Sequence, residues 1–194
     1  NLVKRLKEDI QKKEELSGIS EDILEESINK YLQKNRINQD QPIKEKDIKF
    51  LVKEIRDYLR LMHGRFQVSL KQRKKAIKSK DYGSILASHR STLERKSIYE
   101  EVRELVNKIS PKSIIDIACG LNPLAIARKE YEYLAIDINQ KEIEIINSFF
   151  SEERINGKAI CEDARKIDYD KVKKYDLCLM FKFLDFIDDS HKNA

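Results

Sequence analysis

"SIIDIACGLNPLAIA", residues 113–127, decides how the second half of the chain is read. A continuous apolar run carries one acid, Asp116, and enters a tight turn around Gly120. An apolar helical stretch follows, with Pro123 in its first turn, where a missing N–H costs nothing. A strand that is apolar on both faces belongs in a covered parallel sheet. The turn holds a single glycine. A loop that cradles a pyrophosphate needs several, because bare backbone N–H groups must close around phosphate oxygens at a helix start.

Outward from this stretch the pattern repeats. "YLAID" (133–137), "GKAICED" (157–163) and "YDLCLMF" (175–181) are short apolar strands, and "NQKEIEIINSFFSEE" (139–153) has helical periodicity. The alternation predicts an α/β, Rossmann-like fold with a parallel sheet covered on both faces. After strand four only "KFLDFIDDSHKNA" (182–194) remains, enough for one helix. A doubly wound domain normally continues with more strands, so the expected fold is C-terminally truncated.

Upstream the periodicity is helical throughout. "ISEDILEESINKYLQKN" (19–35) sets Ile19, Ile23, Ile28 and Leu32 on one face, with Ser20 as the N-cap. "RINQDQPIK" (36–44) reads as a linker. "KDIKFLVKEIRDYLRLMHGRF" (46–66) is a second helix, which Gly64 ends. "SHRSTLER" (88–95) is a polar knot ahead of another amphipathic helix, for which Ser91 or Thr92 is the expected cap. The expected division is a helical module of about three helices over 1–80 and the Rossmann-like domain over 81–194.

Charge follows this division. Residues 1–80 hold 21 Lys+Arg against 13 Asp+Glu, whereas 81–194 hold 18 against 21. The excess is sharpest between Lys53 and Lys80, and a basic module of this kind suits a polyanion. Arg56, Arg60, Arg65, Lys71, Arg73, Lys74 and Lys75 are the candidate RNA contacts. With no apolar run near the roughly 18 residues a span needs, no membrane helix is expected, and the polar N-terminus lacks the core of a secretory signal. Three widely spaced cysteines read as reduced thiols of a cytosolic protein. Three histidines, none near a cysteine at ligand spacing, predict no metal site.

Ligands of doubly wound sheets bind at the C-terminal strand ends. Those ends carry Asp116, Ala118, Cys119 and Gly120; then Asp137; then Glu162 and Asp163; then Met180, Phe181 and Lys182. Acids after strands two and three suit a nucleoside with a free ribose and an exocyclic amine. S-adenosylmethionine meets these conditions and brings no phosphate, so one glycine suffices.

Two motifs are specific. "DIACGLNPLA" (116–125) resembles the D-x-G-C-G-x-N-P-L-A motif of the ribosomal RNA methyltransferases that confer aminoglycoside resistance, and "SHRSTLER" resembles their upstream H-x-S-T-x-E-R motif. "YDLCLMFKFLDFID" is similar to their strand-four stretch, and 19–35 to their first helical segment. The resemblance implies an S-adenosylmethionine-dependent enzyme that methylates guanine N7 in small-subunit (16S) ribosomal RNA, with the helical module helping to dock the RNA. It implies that Arg95 holds the cofactor carboxylate, with His89, Ser91 and Thr92 shaping that end. Gly120 lets the methionine moiety lie on the backbone, Asp137 takes the ribose hydroxyls, Asp163 and Ala164 border the adenine, and Lys182 sits near methyl transfer. Ala118 departs from the family's glycine, and the family's final strands are absent. Asp116 reads either as a cofactor acid or as a fold-stabilising acid. Guanine N7 has an in-plane lone pair and no proton, so in-line attack needs positioning and no general base. The competing readings are a methyltransferase of another RNA or a protein, and a non-catalytic RNA-binding ribosome-assembly factor that retains the fold.

Overall fold

The computed structural model describes residues 2–39, 41–63 and 70–181. The chain forms two compact units, Asn1–Arg65 and Phe66–Ala194. The division falls at 65/66 and not at 80, because the basic helix after residue 70 packs with the second unit. The first unit is consequently almost balanced in charge, with 15 Lys+Arg against 13 Asp+Glu. Residues 71–80, six cations and no acid, go with the second.

The first unit comprises α1 (Leu2–Gln11), α2 (Glu21–Lys34) and α3 (Glu45–His63). Each buries one stripe. Val3, Leu6 and Ile10 of α1 meet Ile23, Leu24, Ile28 and Leu32 of α2 and Ile48, Leu51, Val52, Ile55 and Leu59 of α3, the spacing of amphipathic helices around a shared core. Ser20 stands at the N-cap of α2 with extended backbone, but its side chain makes no cap bond. The first unit thus holds three α-helices and ends fifteen residues short of the 1–80 module expected from the sequence.

The second unit begins with α4 (Leu70–Lys78), α5 (Tyr82–Ala87), α6 (Arg90–Glu94) and α7 (Tyr99–Ile109). Strands β1 (Ser113–Ile117), β2 (Glu132–Asp137), β3 (Gly157–Cys161) and β4 (Leu177–Leu179) follow, with α8 (Pro123–Ile126) and α9 (Gln140–Glu152) as crossovers. The sheet is parallel throughout, in the order β3-β2-β1-β4. β1 is central and buried on both faces, as its isoleucine-rich sequence requires. On one face Ile114, Tyr133, Ala135 and Ala159 pack beneath Ile143, Ile146, Phe149 and Phe150 of α9. On the other, Ile115, Ile117 and Ile136 meet Ala164, Ile167, Val172 and Tyr175. Gly157 is where backbone and ring crowd: a Cβ there would lie 2.7 Å from the Phe150 ring. Among the described residues no helix is long and apolar enough to cross a membrane, and no group of His, Cys, Asp or Glu side chains could hold a metal.

Arg73 of α4 is buried rather than displayed. Its guanidinium pairs with Glu142 on α9 and donates to the Ser88 hydroxyl, and the side chains of the pair are 6% and 5% exposed. Burial pushes the Glu142 carboxyl up while Arg73 pulls it down. Arg73 therefore fastens α4 to the sheet domain. Thr92 also differs from expectation. It lies inside α6, and its hydroxyl donates to the Leu86 and His89 carbonyls, tying the α5–α6 turn. The N-cap of α7 is Ile98.

Candidate cofactor site

The four parallel strands bring Asp116, Asp137, Asp163 and Met180 to one edge of the sheet, at or just past the strand ends. The turn after β1 is built from two left-handed residues, Ala118 (φ 54°) and Gly120 (φ 51°). A non-glycine residue in that region costs about 1–2 kcal/mol, so the alanine at position 118 is tolerated at some strain. At Gly120 a Cβ would find no atom within 4 Å. The backbone is thus bare toward open space, which is what a ligand lying on the turn requires.

Asp137 locks this turn to β2. Its Oδ2 accepts from the Gly120 N–H (2.8 Å) and its Oδ1 from the Asn139 N–H (3.0 Å). Burial pushes the carboxyl up, the two backbone bonds and the nearby His89 imidazole pull it down, and Glu142 pushes it up. Each oxygen keeps a lone pair for a hydroxyl donor. His89, at the N-cap of α6 without a cap bond from its side chain, belongs to this corner through its nearness to Asp137.

Behind the turn lies a buried polar cluster. Asn122, 1% exposed, turns its Oδ1 inward, where it accepts from Arg95 Nη2 (3.0 Å) and from the Tyr99 hydroxyl (2.8 Å). Asp116 is fully buried and accepts from the Tyr133 hydroxyl (2.8 Å). Burial pushes its carboxyl up to about 7; the Tyr133 bond and the Arg95 charge oppose the shift, and Asp137 adds to it. The Phe181 ring stacks under Arg95, 5.6 Å from its carbon. Four atoms in this cluster have no hydrogen-bond partner of good geometry among the described residues: Arg95 Nε and Nη1, Asp116 Oδ1 and Asn122 Nδ2, although the Asn122 side chain lies near enough to Asp116 to help hold its carboxyl down. An unmet buried polar group costs about 1–3 kcal/mol, so a set of them concentrated at a sheet edge marks a place for a polar ligand.

The set fits the amino-acid end of S-adenosylmethionine. Arg95 Nε and Nη1 are donors suited to a carboxylate, and Asp116 Oδ1 is an acceptor suited to an ammonium. Asp163 is half-buried and already engaged. Burial alone would raise its carboxyl, but bonds from the Arg165 guanidinium and amide hold it below the usual range. Ala164 is buried in the sheet's second core, and Met180 is exposed one residue past β4. Lys182, Arg65 and the Ser91 side chain lie outside the described residues. Phe181, expected at the end of strand four, reaches the site through Arg95, whereas Tyr99, Asn122 and Tyr133 join it without having been expected there.

Of the candidate RNA contacts, Lys71, Lys74 and Lys75 are exposed on α4. Arg56 donates to the Asp9 carbonyl with Nε buried, Arg60 pairs with Asp57 at 2.7 Å, and Arg73 is the buried partner of Glu142.

Residues 71–194 match the family described as ribosomal RNA methyltransferase (FmrO). A 16S rRNA (guanine(1405)-N(7))-methyltransferase of Serratia marcescens is 29% identical over 122 residues, 62% of this chain and 48% of that protein. The chain thus matches about half the length of that curated relative. Among solved structures, the 16S rRNA methyltransferase RmtF in complex with S-adenosyl-L-homocysteine has a TM-score of 0.72 at 18% identity, covering 97% of this chain and 72% of its own. The 16S rRNA methylase RmtB has a TM-score of 0.69 at 23% identity, with coverages of 98% and 75%.

Proposed function

The chain belongs to the FmrO ribosomal RNA methyltransferase family, and from that premise we propose that it transfers a methyl group from S-adenosylmethionine to the N7 atom of a guanine in 16S ribosomal RNA. The buried, unpartnered atoms of Arg95, Asp116 and Asn122 support the cofactor reading, because they supply donors and an acceptor of the kinds an amino-acid zwitterion needs. Arg95 would hold the carboxylate, kept in place by Asn122 and by Phe181 beneath it. Asp116 would hold the ammonium, oriented by Tyr133. Asp137 would take the ribose hydroxyls while it ties Gly120 down. Asp163 and Ala164 would border the adenine, with Met180 as a further cofactor contact past β4. When bound, the cofactor supplies an electrophilic methyl on a sulfonium.

The protein's task is then alignment. Guanine N7 carries an in-plane lone pair and no proton, so none of the carboxylates around the turn is needed as a general base. Proximity and orientation are the protein's contribution to rate. The target base must be unstacked or already distorted in the RNA. Phosphate contacts come from exposed lysines such as Lys71, Lys74 and Lys75 and give salt-sensitive, largely shape-based binding. Soluble, cytosolic enzymes act in this way, and a small ribosomal subunit is the partner. Labelled methyl transfer to isolated small subunits, with large subunits as the control, tests the proposal. Label confined to the small-subunit RNA supports it, and label on a protein or on neither subunit contradicts it.

Asp116 sets a pH dependence with a definite sign. Its folded-state carboxyl is raised to about 7 by burial, against an ordinary value of about 3.9. Without ligand, the folded protein binds more protons than the unfolded chain between these values, so stability falls as pH rises through that window. Cofactor binding has the opposite sign, since an ammonium is held by the ionised carboxylate. Affinity for S-adenosylmethionine is expected to rise by up to about tenfold per pH unit from pH 6 toward 7, then level off. Calorimetry in buffers of differing ionisation enthalpy will register a released proton, and Asp116→Asn will flatten the profile. A flat profile in the unmutated protein contradicts the role.

A further inference from the structure

Helix α3 buries Ile48, Leu51, Val52, Ile55 and Leu59 on one side. The opposite side carries Lys46, Lys49, Phe50 and Lys53, at the i, i+3, i+4, i+7 spacing of a single helical face, and all four are exposed. Phe50 is 60% exposed, more than any other large apolar side chain among the described residues. Single exposed apolar residues are ordinary. What sets this one apart is its frame.

None of the three lysines has an acid within ion-pair distance among the described residues, whereas neighbouring cations are paired: Arg5 with Glu45, Lys7 with Glu25, and Arg60 with Asp57. Asp57, one turn beyond Lys53, is the acid on this face and is engaged by Arg60. Asp47 and Glu54 border the face on one side, and Glu45, paired with Arg5, borders it on the other. A flat aromatic ring ringed by unneutralised cations complements a polyanion that presents planar groups.

We propose that the Lys46–Lys49–Phe50–Lys53 face of α3 is an RNA-docking surface, on which Phe50 stacks against an unpaired base while the lysines contact the flanking phosphates. The proposal rests on the RNA-methyltransferase reading above and adds a site to it. Stacking tolerates any base and phosphate contacts carry no sequence, so this face supplies affinity and orientation without choosing the nucleotide. It also replaces Arg56 and Arg73, whose guanidinium groups are committed inside the protein, as part of the polyanion grip.

The test separates the two components. Binding of the protein to isolated small ribosomal subunits is measured over a range of salt concentrations for the unmutated chain, Phe50→Ala, Phe50→Tyr and Lys46→Glu/Lys49→Glu/Lys53→Glu. Phe50→Ala is expected to weaken binding roughly 5- to 150-fold with the salt slope unchanged, and Phe50→Tyr to restore it. The triple reversal is expected to lower the slope by about 2–3. Unaltered affinity in Phe50→Ala, or an unaltered slope in the triple variant, overturns the proposal. So does preferential binding of the unmutated protein to anionic lipid vesicles. S-adenosylmethionine titration and methyl transfer by the unmutated protein are recorded in parallel. If transfer to 16S RNA is intact while Phe50→Ala binds normally, only this surface is wrong; if no transfer occurs, the enzymatic reading itself has failed.

Discussion

Replacing Arg95 with alanine will weaken S-adenosylmethionine binding by about 30- to 4,000-fold, because truncating one member of a buried, hydrogen-bonded charge pair costs about 2–5 kcal/mol. Arg95 is 9% exposed, and two of its donor nitrogens are unmatched among the described residues. Its remaining donor is set by Asn122, which also receives the Tyr99 hydroxyl. The loss should be confined to binding. Arg95→Lys keeps the charge but loses the planar fork, so it should recover little of the affinity. Asn122→Ala should produce an intermediate loss, since it frees the guanidinium without removing it. Calorimetry with the cofactor and with S-adenosylhomocysteine reads these effects, and thermal unfolding of each variant separates them from misfolding. Native affinity in Arg95→Ala contradicts the assignment.

The second large effect is on stability. Arg73→Ala or Glu142→Ala alone leaves an unpaired buried charge and is expected to cost about 3–5 kcal/mol in urea unfolding of the second unit. That is a large share of the roughly 5–15 kcal/mol by which folded domains are stable. Removing both charges with Arg73→Met and Glu142→Leu should recover much of the loss, since a packed apolar pair can replace a buried ion pair. Had Arg73 been a phosphate contact, its removal would lower the salt slope of RNA binding and leave stability intact. The buried geometry predicts the reverse.

These two arginines show what a sequence discloses and what it withholds. The sheet, the turn after β1 and the acids at the strand ends were legible, because each depends on local pattern: apolar runs, a lone glycine, acids just past them. Arg95 was legible through a motif rather than through its surroundings. Arg73 sits in "KQRKK", where every residue looks alike as charge. Its burial follows from facing the same way as Ala76, three residues on, a spacing that could have flagged it. The same helix moved the boundary between the units, since a charge count cannot say which side of a break a basic segment packs against. Asn122 stood in the family motif with no role of its own assigned to it. Its role depends on Arg95 and Tyr99, 27 and 23 residues away in sequence, which only the folded chain brings to it. Tyr133 was assigned to a strand core, and its hydroxyl reaches Asp116 only because β1 and β2 pair side by side.

The central claim is methyl transfer to guanine N7 of 16S ribosomal RNA through a site anchored by Arg95 and Asp116. Its most direct test is to incubate the protein with isotopically labelled S-adenosylmethionine and small ribosomal subunits, then locate the labelled nucleotide by cleavage specific for N7-methylguanine. The predicted result is label at a single guanine, lost in Arg95→Ala. Label on another atom or another macromolecule, or no label from protein that binds the cofactor, would contradict it.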